Sequence, residues 1–235
     1  MADNKPVCKP PSKGYRSARL STDSTMVTIE LGDGKMLLPM DYLTSVSHHF
    51  EKAFTGEFCE AKEKILRLDD TTVSAKTLGV FAEWLYGRKL LDADGEEYDG
   101  KKDGEGNGRE TRRFNELLAL YIFGDAYDIP QFRRDVLDTF IIYAVRHPIL
   151  PSENTFIVAY AQLPPKSPIL RALVDLWVQE VFVSRDDNQY DGSTLPSTFL
   201  YSVTTEYCLR LHKDRAAPEP IEDRLCDYHE HDEDI

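Results

Sequence analysis

The chain has 235 residues, of which 41% are hydrophobic and 29% are charged, and its formal net charge is −13 at pH 7. This composition excludes a wholly disordered chain, and the acidic balance argues against a nucleic-acid binder, because phosphate contacts need clustered lysine and arginine. No apolar run approaches the roughly 20 residues that span a bilayer, so we expect no membrane association.

The amino-terminal residues predict a mobile arm over 1–23. They contain Pro10-Pro11 and scattered basic side chains but little apolar periodicity. They also lack the apolar centre of a secretory signal. The four cysteines are widely separated, so no disulfide framework is expected. We therefore expect reduced thiols and a cytoplasmic or nuclear location.

A β-hairpin is predicted directly after the arm. Val27, Ile29 and Leu31 alternate with polar residues, which is the period of a half-buried strand. The segment Gly32-Asp33-Gly34 follows as a tight turn, since glycine accepts the positive φ angles of such turns. Residues 35–38 then return as the second strand.

A helical face and a third strand come next along the chain. Leu43, Val46, Phe50 and Phe54 are spaced by three and four residues, which predicts an amphipathic helical stretch. The short apolar run 65–68 predicts a strand.

Further helices are predicted beyond this strand. Thr72 or Ser74 can cap the first of them, which carries apolar side chains over 78–85. The segment 92–110 is acidic and rich in glycine, so we expect a disordered insertion there. The apolar helical period then resumes and restarts after Pro130, which indicates a helical hairpin.

The chain beyond residue 150 is predicted to form an all-helical extension over 150–213. Ser152 can cap its first helix, and Ser167-Pro168 has the form of a cap followed by a first-turn proline. The remainder, 214–235, is acidic, which predicts a disordered tail.

Residue patterns that carry chemistry are sparse. No nucleophile elbow, metalloprotease pair or Cys–His site is recognisable, so we expect no catalytic residues. Gly95 to Lys101 has the spacing of a phosphate-binding loop, but Lys102 stands where a serine or threonine must hold magnesium. We therefore expect neither an enzyme nor a cofactor.

Our principal expectation is that the chain has no metal site, but zinc binding remains open as an alternative. Cys208 and His212 lie four residues apart, on one face of a predicted helix, and Cys226 and His229 follow in the tail. Four such side chains suit zinc, but their spacing fits no standard finger or ribbon closely.

The order of these elements from residue 26 to 142 resembles a BTB/POZ domain. Leu43, Ser47 and Phe50 match the family's Leu-x-x-x-Ser-x-x-Phe helix. Three longer segments match its opening hairpin, third helix and terminal helical hairpin: MVTIELGDGKMLLP (26–39), FAEWLYGRKL (81–90) and LLALYIFGDAYDIPQFRRDVLDTFI (117–141). The acidic insertion and the extension add a resemblance to stand-alone fungal BTB proteins.

The resemblance implies an α+β fold over 24–145, in which a small β-sheet is capped by a helical cluster, followed by the all-helical extension. It also implies protein–protein interaction without catalysis, through a homodimer or pairing with other BTB proteins as a scaffold. Met26, Leu43, Val46 and Phe50 are the candidate residues of the dimer interface.

A second function is implied by Phe58-Cys59-Glu60. This segment fits the hydrophobic-x-Glu element that BTB adaptors of cullin ubiquitin ligases present to their scaffold. Phe58 would enter an apolar recess and Glu60 would accept a charge-assisted hydrogen bond at its rim. The structural alternative is that Phe58 belongs to the core and Glu60 is merely solvated.

Overall fold

A computed structural model describes residues 25–91, 108–147, 150–183, 193–212 and 220–230. The described residues form two compact units. We call residues 25–91 and 119–136 the sheet unit, and all the other described residues the helical unit. The predicted arm over 1–23 and most of the predicted insertion, 92–107, lie outside the described residues.

The sheet unit contains the predicted three strands, β1 (Met26–Leu31), β2 (Gly34–Pro39) and β3 (Ile65–Leu68). The strand order is β2-β1-β3, so the first strand lies in the centre. β2 pairs antiparallel with it and β3 pairs parallel. The turn between β1 and β2 needs Gly32, whose φ is +53°. The fold is therefore α+β, as the sequence predicts.

Short helices follow the hairpin: α1 (Met40–Thr44), α2 (His48–Thr55) and α3 (Cys59–Glu63). The predicted amphipathic stretch is thus divided between α1 and α2. The division occurs because Ser47 caps α2, its hydroxyl oxygen accepting a hydrogen bond from the Phe50 amide at 3.0 Å.

Longer helices follow β3 along the chain. Helix α4 (Ala75–Gly87) is capped by Ser74, one of the two predicted caps. The predicted hairpin is formed by α5 (Gly108–Ala126) and α6 (Pro130–Arg146).

Aromatic side chains fill the core of the sheet unit around Trp84. Its ring centroid lies 4.8 Å from that of Phe132 and 6.1 Å from that of Phe81. The indole nitrogen donates a hydrogen bond to Asp135 Oδ2 at 2.7 Å. The buried indole ring therefore packs against aromatic neighbours, and its N–H group has a hydrogen-bond acceptor.

The helical unit contains three further helices, α7 (Glu153–Gln162), α8 (Pro168–Val183) and α9 (Ser197–His212). Their shared core includes Phe156, Trp177 and Phe199, whose ring centroids are 4.6–5.5 Å apart. The start of α8 at Pro168 matches the predicted first-turn proline. None of the helices in the described ranges is long and apolar enough to cross a membrane.

The prediction of a disordered tail over 214–235 is wrong for residues 220–230. A 3-10 helix runs from Ile221 to Tyr228, and both of these side chains are buried. The Tyr228 hydroxyl donates a hydrogen bond to Asp175 Oδ2 at 2.6 Å. The two buried side chains and the hydrogen bond of Tyr228 hold this segment on the helical unit. The acidic composition of the segment reveals neither the burial nor the hydrogen bond.

The boundary between the units also differs from the predicted one. Residues 137–147 group with the helical unit, although the resemblance assigned them to the domain over 24–145. The rings of Phe140 and Tyr143 each lie 5.1 Å from the ring of Phe114. Helices α5 and α6 therefore each contribute residues to both units.

Candidate functional site

The outer face of the three-stranded sheet carries exposed apolar side chains. The inward positions Val27, Ile29 and Leu38 are buried, so the intervening residues point away from the core. Two of these are large and apolar: Leu37 is 61% exposed and Met26 is 45% exposed. The sheet therefore presents an apolar surface to solvent.

The pairing register shows how this surface is arranged. Leu37 lies opposite Thr28, which in turn lies opposite the half-buried Ile65 of β3. Met26 lies at the start of β1 and pairs with Pro39. We call Met26, Leu37 and Ile65 the outer sheet patch.

A row of charges borders this patch on the same face of the sheet. Glu30 lies between Lys35 Nζ, at 2.7 Å, and Arg67 Nε, at 3.1 Å. The hydrogen bond from Lys35 is the main cause that lowers the pKa of Glu30, and Arg67 contributes further. The outer face thus has an apolar half beside a compensated charged row, which is the anatomy of an interface core with a polar rim.

The predicted dimer residues do not all lie on this surface. Leu43 and Phe50 are 0% and 2% exposed, so their assignment to an interface is wrong for the folded chain. Phe50 packs against Tyr127, with ring centroids 5.7 Å apart. Val46 is half-buried, and Met26 is exposed as an interface residue must be.

Phe58 is the second exposed apolar feature of the sheet unit. It is 62% exposed, so the alternative that it belongs to the core is wrong. A Cβ atom on Gly56 would lie 2.5 Å from the Lys52 carbonyl oxygen and 3.1 Å from Phe58 Cδ2. The close turn that places the Phe58 ring therefore requires glycine at position 56.

Glu60 follows Phe58 in the first turn of α3 and is half-buried. The Cys59 thiol lies 3.3 Å from Glu60 Oε2. Hydrogen bonds from the Glu60 backbone amide and from Cys59 lower the pKa of this carboxyl group. At neutral pH the segment thus presents an exposed ring beside a carboxylate acceptor.

The structure gives His229 a partner other than zinc. Its Nε2 lies 2.7 Å from Asp138 Oδ1, and its side chain is only 8% exposed. Cys208 is exposed and Cys226 is half-buried, while the side chain of His212 lies outside the described part. In the ranges that the structure covers, no three His, Cys, Asp or Glu side chains converge as metal ligands.

Leu37 was missed by the sequence analysis, although a signal for it exists. It alternates with Lys35 and Pro39 in a strand whose inward residue is Leu38, so its outward direction follows from the period of the strand.

Comparison with protein-family models finds no match, and comparison with curated proteins finds none either.

Proposed function

We propose that this chain is a protein–protein interaction module of the BTB/POZ type, which forms a homodimer through the outer sheet patch and performs no catalysis. The observation that carries the proposal is the exposure of Leu37 beside Met26 on a sheet whose other face is already buried. The described element order also agrees with the BTB resemblance, since a hairpin, short helices, a third strand and a helical hairpin follow one another.

A second copy of the chain is the simplest partner for the outer sheet patch. A two-fold interface joins the same surface of both subunits, so an apolar patch can cover its own copy. Burial of apolar surface contributes about 25 cal/mol per Å², which favours covering Met26 and Leu37. The bordering Lys35–Glu30–Arg67 row would remain at the hydrated rim.

We expect the wild-type chain to have twice the 26.9 kDa mass of one subunit, and Leu37→Lys to weaken the dimer at least about tenfold. A charge placed in an apolar interface must be desolvated on association, while an exposed position tolerates it in the monomer. Multi-angle light scattering over a dilution series measures the mass. Glu83→Gln is the matched control, because it makes the same change in net charge at an exposed position of α4. A wild-type chain that stays monomeric at every concentration would refute the proposed dimer.

Phe58 favours a second candidate function, that of a substrate adaptor for a cullin ubiquitin ligase. An exposed aromatic ring next to a charged acceptor has the chemistry of an anchor that enters a partner's apolar recess. This proposal uses a different surface from the dimer, so both can hold for one chain.

Titration with a cullin amino-terminal domain tests the adaptor. We expect binding that Phe58→Ala weakens by about 2 kcal/mol or more and that Glu60→Ala weakens by about 1–3 kcal/mol. Isothermal calorimetry gives both values. Tyr86→Ala serves as the control, since it removes another exposed ring from the same unit. Equal affinity for all variants, or no binding by the wild-type chain, would eliminate this function.

A further inference from the structure

A groove of about 930 Å³ lies in the helical unit and is lined by residues of α7, α8, α9 and the loop that joins α7 to α8. Buried aliphatic side chains contribute its apolar surface: Leu163, Leu170 and Val174. Two tyrosines, Tyr160 and Tyr201, add aromatic surface. Nothing in the proposed dimer or adaptor function uses this groove.

The groove is open to solvent. Tyr201 is 75% exposed, and further lining residues such as Pro165, Ser197 and Thr205 are also exposed. Sites for small molecules usually bury 70–90% of the ligand surface, which needs a more enclosed shape. An open apolar groove with exposed walls instead suits a peptide segment that lays one face into it.

Two cations give the groove a positive character within a chain whose formal net charge is −13. Lys166 and Arg171 both line it, and neither forms an ion pair with a described residue. The Arg171 guanidinium lies 4.9 Å from the centroid of the Tyr228 ring, which fixes its position. The lining carboxylate, Glu206, already accepts a hydrogen bond from Arg210 Nε at 2.8 Å.

We propose that this groove binds an acidic amphipathic peptide segment of a partner protein. The apolar side chains of the peptide would cover Leu163, Leu170 and Val174, and its carboxylates would pair with Lys166 and Arg171. Charge complementarity selects an acidic peptide over a basic one, since a basic segment would meet two cations that pair with no carboxylate among the described residues. This inference concerns the helical unit and does not depend on the dimer.

A labelled peptide tests the proposal on the full chain. The probe is a fluorescein-labelled peptide of about fourteen residues, with leucine and phenylalanine at helical spacing and aspartate and glutamate elsewhere. A second peptide carries lysine at every acidic position. Fluorescence polarisation should show saturable binding of the acidic peptide and at least about tenfold weaker binding of the basic one.

Variants locate the binding on the groove. We expect Lys166→Glu with Arg171→Glu, and separately Tyr201→Ala, to weaken the acidic peptide at least about tenfold. Lys166 and Tyr201 are exposed, so their substitution should leave thermal unfolding unchanged, whereas Arg171→Glu also removes the contact with the Tyr228 ring. Thermal unfolding of each variant is therefore measured beside its affinity. Lys52→Glu with Lys62→Glu is the control, because it makes the same charge change at exposed positions of the sheet unit. It should leave the affinity unchanged.

Three results would overturn the proposal. They are no binding of the acidic peptide, equal binding of the acidic and basic peptides, and binding that the groove variants leave unaffected. Binding of a fatty-acid probe such as laurate, with no binding of the peptide, would assign the groove to a small ligand instead. Light scattering of the same samples keeps this outcome separate from that of the dimer.

Discussion

Trp84→Ala should lower the free energy of unfolding of the sheet unit by about 3–5 kcal/mol. Trp84 is fully buried, so its replacement by alanine leaves a cavity beside Phe81 and Phe132. The loss also removes the indole donor from Asp135 and the ring over which Arg88 lies at 4.1 Å. This position combines lost packing, a lost hydrogen bond and a lost cation–π contact.

The two tryptophans of the sequence make the measurement straightforward, because Trp84 lies in the sheet unit and Trp177 in the helical unit. Urea unfolding of Trp84→Ala is followed by circular dichroism, and the fluorescence of Trp177 reports the helical unit in the same sample. Trp84→Phe is the matched variant, which keeps an aromatic ring and should lose less stability than alanine. A loss below about 1 kcal/mol for Trp84→Ala would contradict the role of this side chain in the core.

Asp175→Ala should cost the helical unit about 3–5 kcal/mol, the usual result of removing one member of a buried charged network. Asp175 accepts hydrogen bonds from Tyr228 Oη at 2.6 Å and from Arg210 at 3.2 Å, and Arg224 lies 3.5 Å away. Burial is the main cause that raises the pKa of Tyr228, so its hydroxyl stays protonated and remains a donor. Alanine would leave these donors without their shared acceptor.

Hydrogen exchange across 221–228 measures this effect locally, and urea unfolding gives its total size. We expect faster exchange of that segment in Asp175→Ala, because Tyr228 no longer holds it on α8. Asp175→Asn keeps an acceptor oxygen and should have a smaller effect. Asp223→Ala, an exposed acid of the same segment, is the control and should have almost none. Unchanged exchange in Asp175→Ala would contradict this role for the network.

Local patterns were sufficient to predict the strands and most helix starts. The alternation at Val27, Ile29 and Leu31 appears in the structure as a buried face of β1. Ser74 and Pro130 mark helix starts because capping and first-turn geometry depend on a few neighbouring residues. Features that depend only on neighbouring residues can be recognised without knowledge of the rest of the fold.

The interface residues could not be assigned from the same patterns. Helical periodicity shows that Leu43 and Phe50 share an apolar face, but it does not show what covers that face. In the structure Phe50 packs against Tyr127, which lies far along the chain. Burial is decided by such distant contacts, and for that reason Leu43 and Phe50 were misassigned while the exposed Leu37 was missed.

Residues 220–230 were misjudged for a similar reason. Their acidic composition predicts disorder, yet Ile221 and Tyr228 are buried. The groove beside Arg171 has no sequence signal of its own, because residues from three helices and a loop must come together to form it.

The shared helix α6 limits how this chain can be shortened for expression. Residues 137–147 belong with the helical unit, so a fragment that ends near residue 145 would carry Phe140 and Ile141, which are buried in the full chain, without most of that unit. It would also separate Asp138 from His229. Such a fragment is expected to aggregate, so a piece cut at the predicted boundary near residue 145 would be a poor substitute for the 235-residue chain.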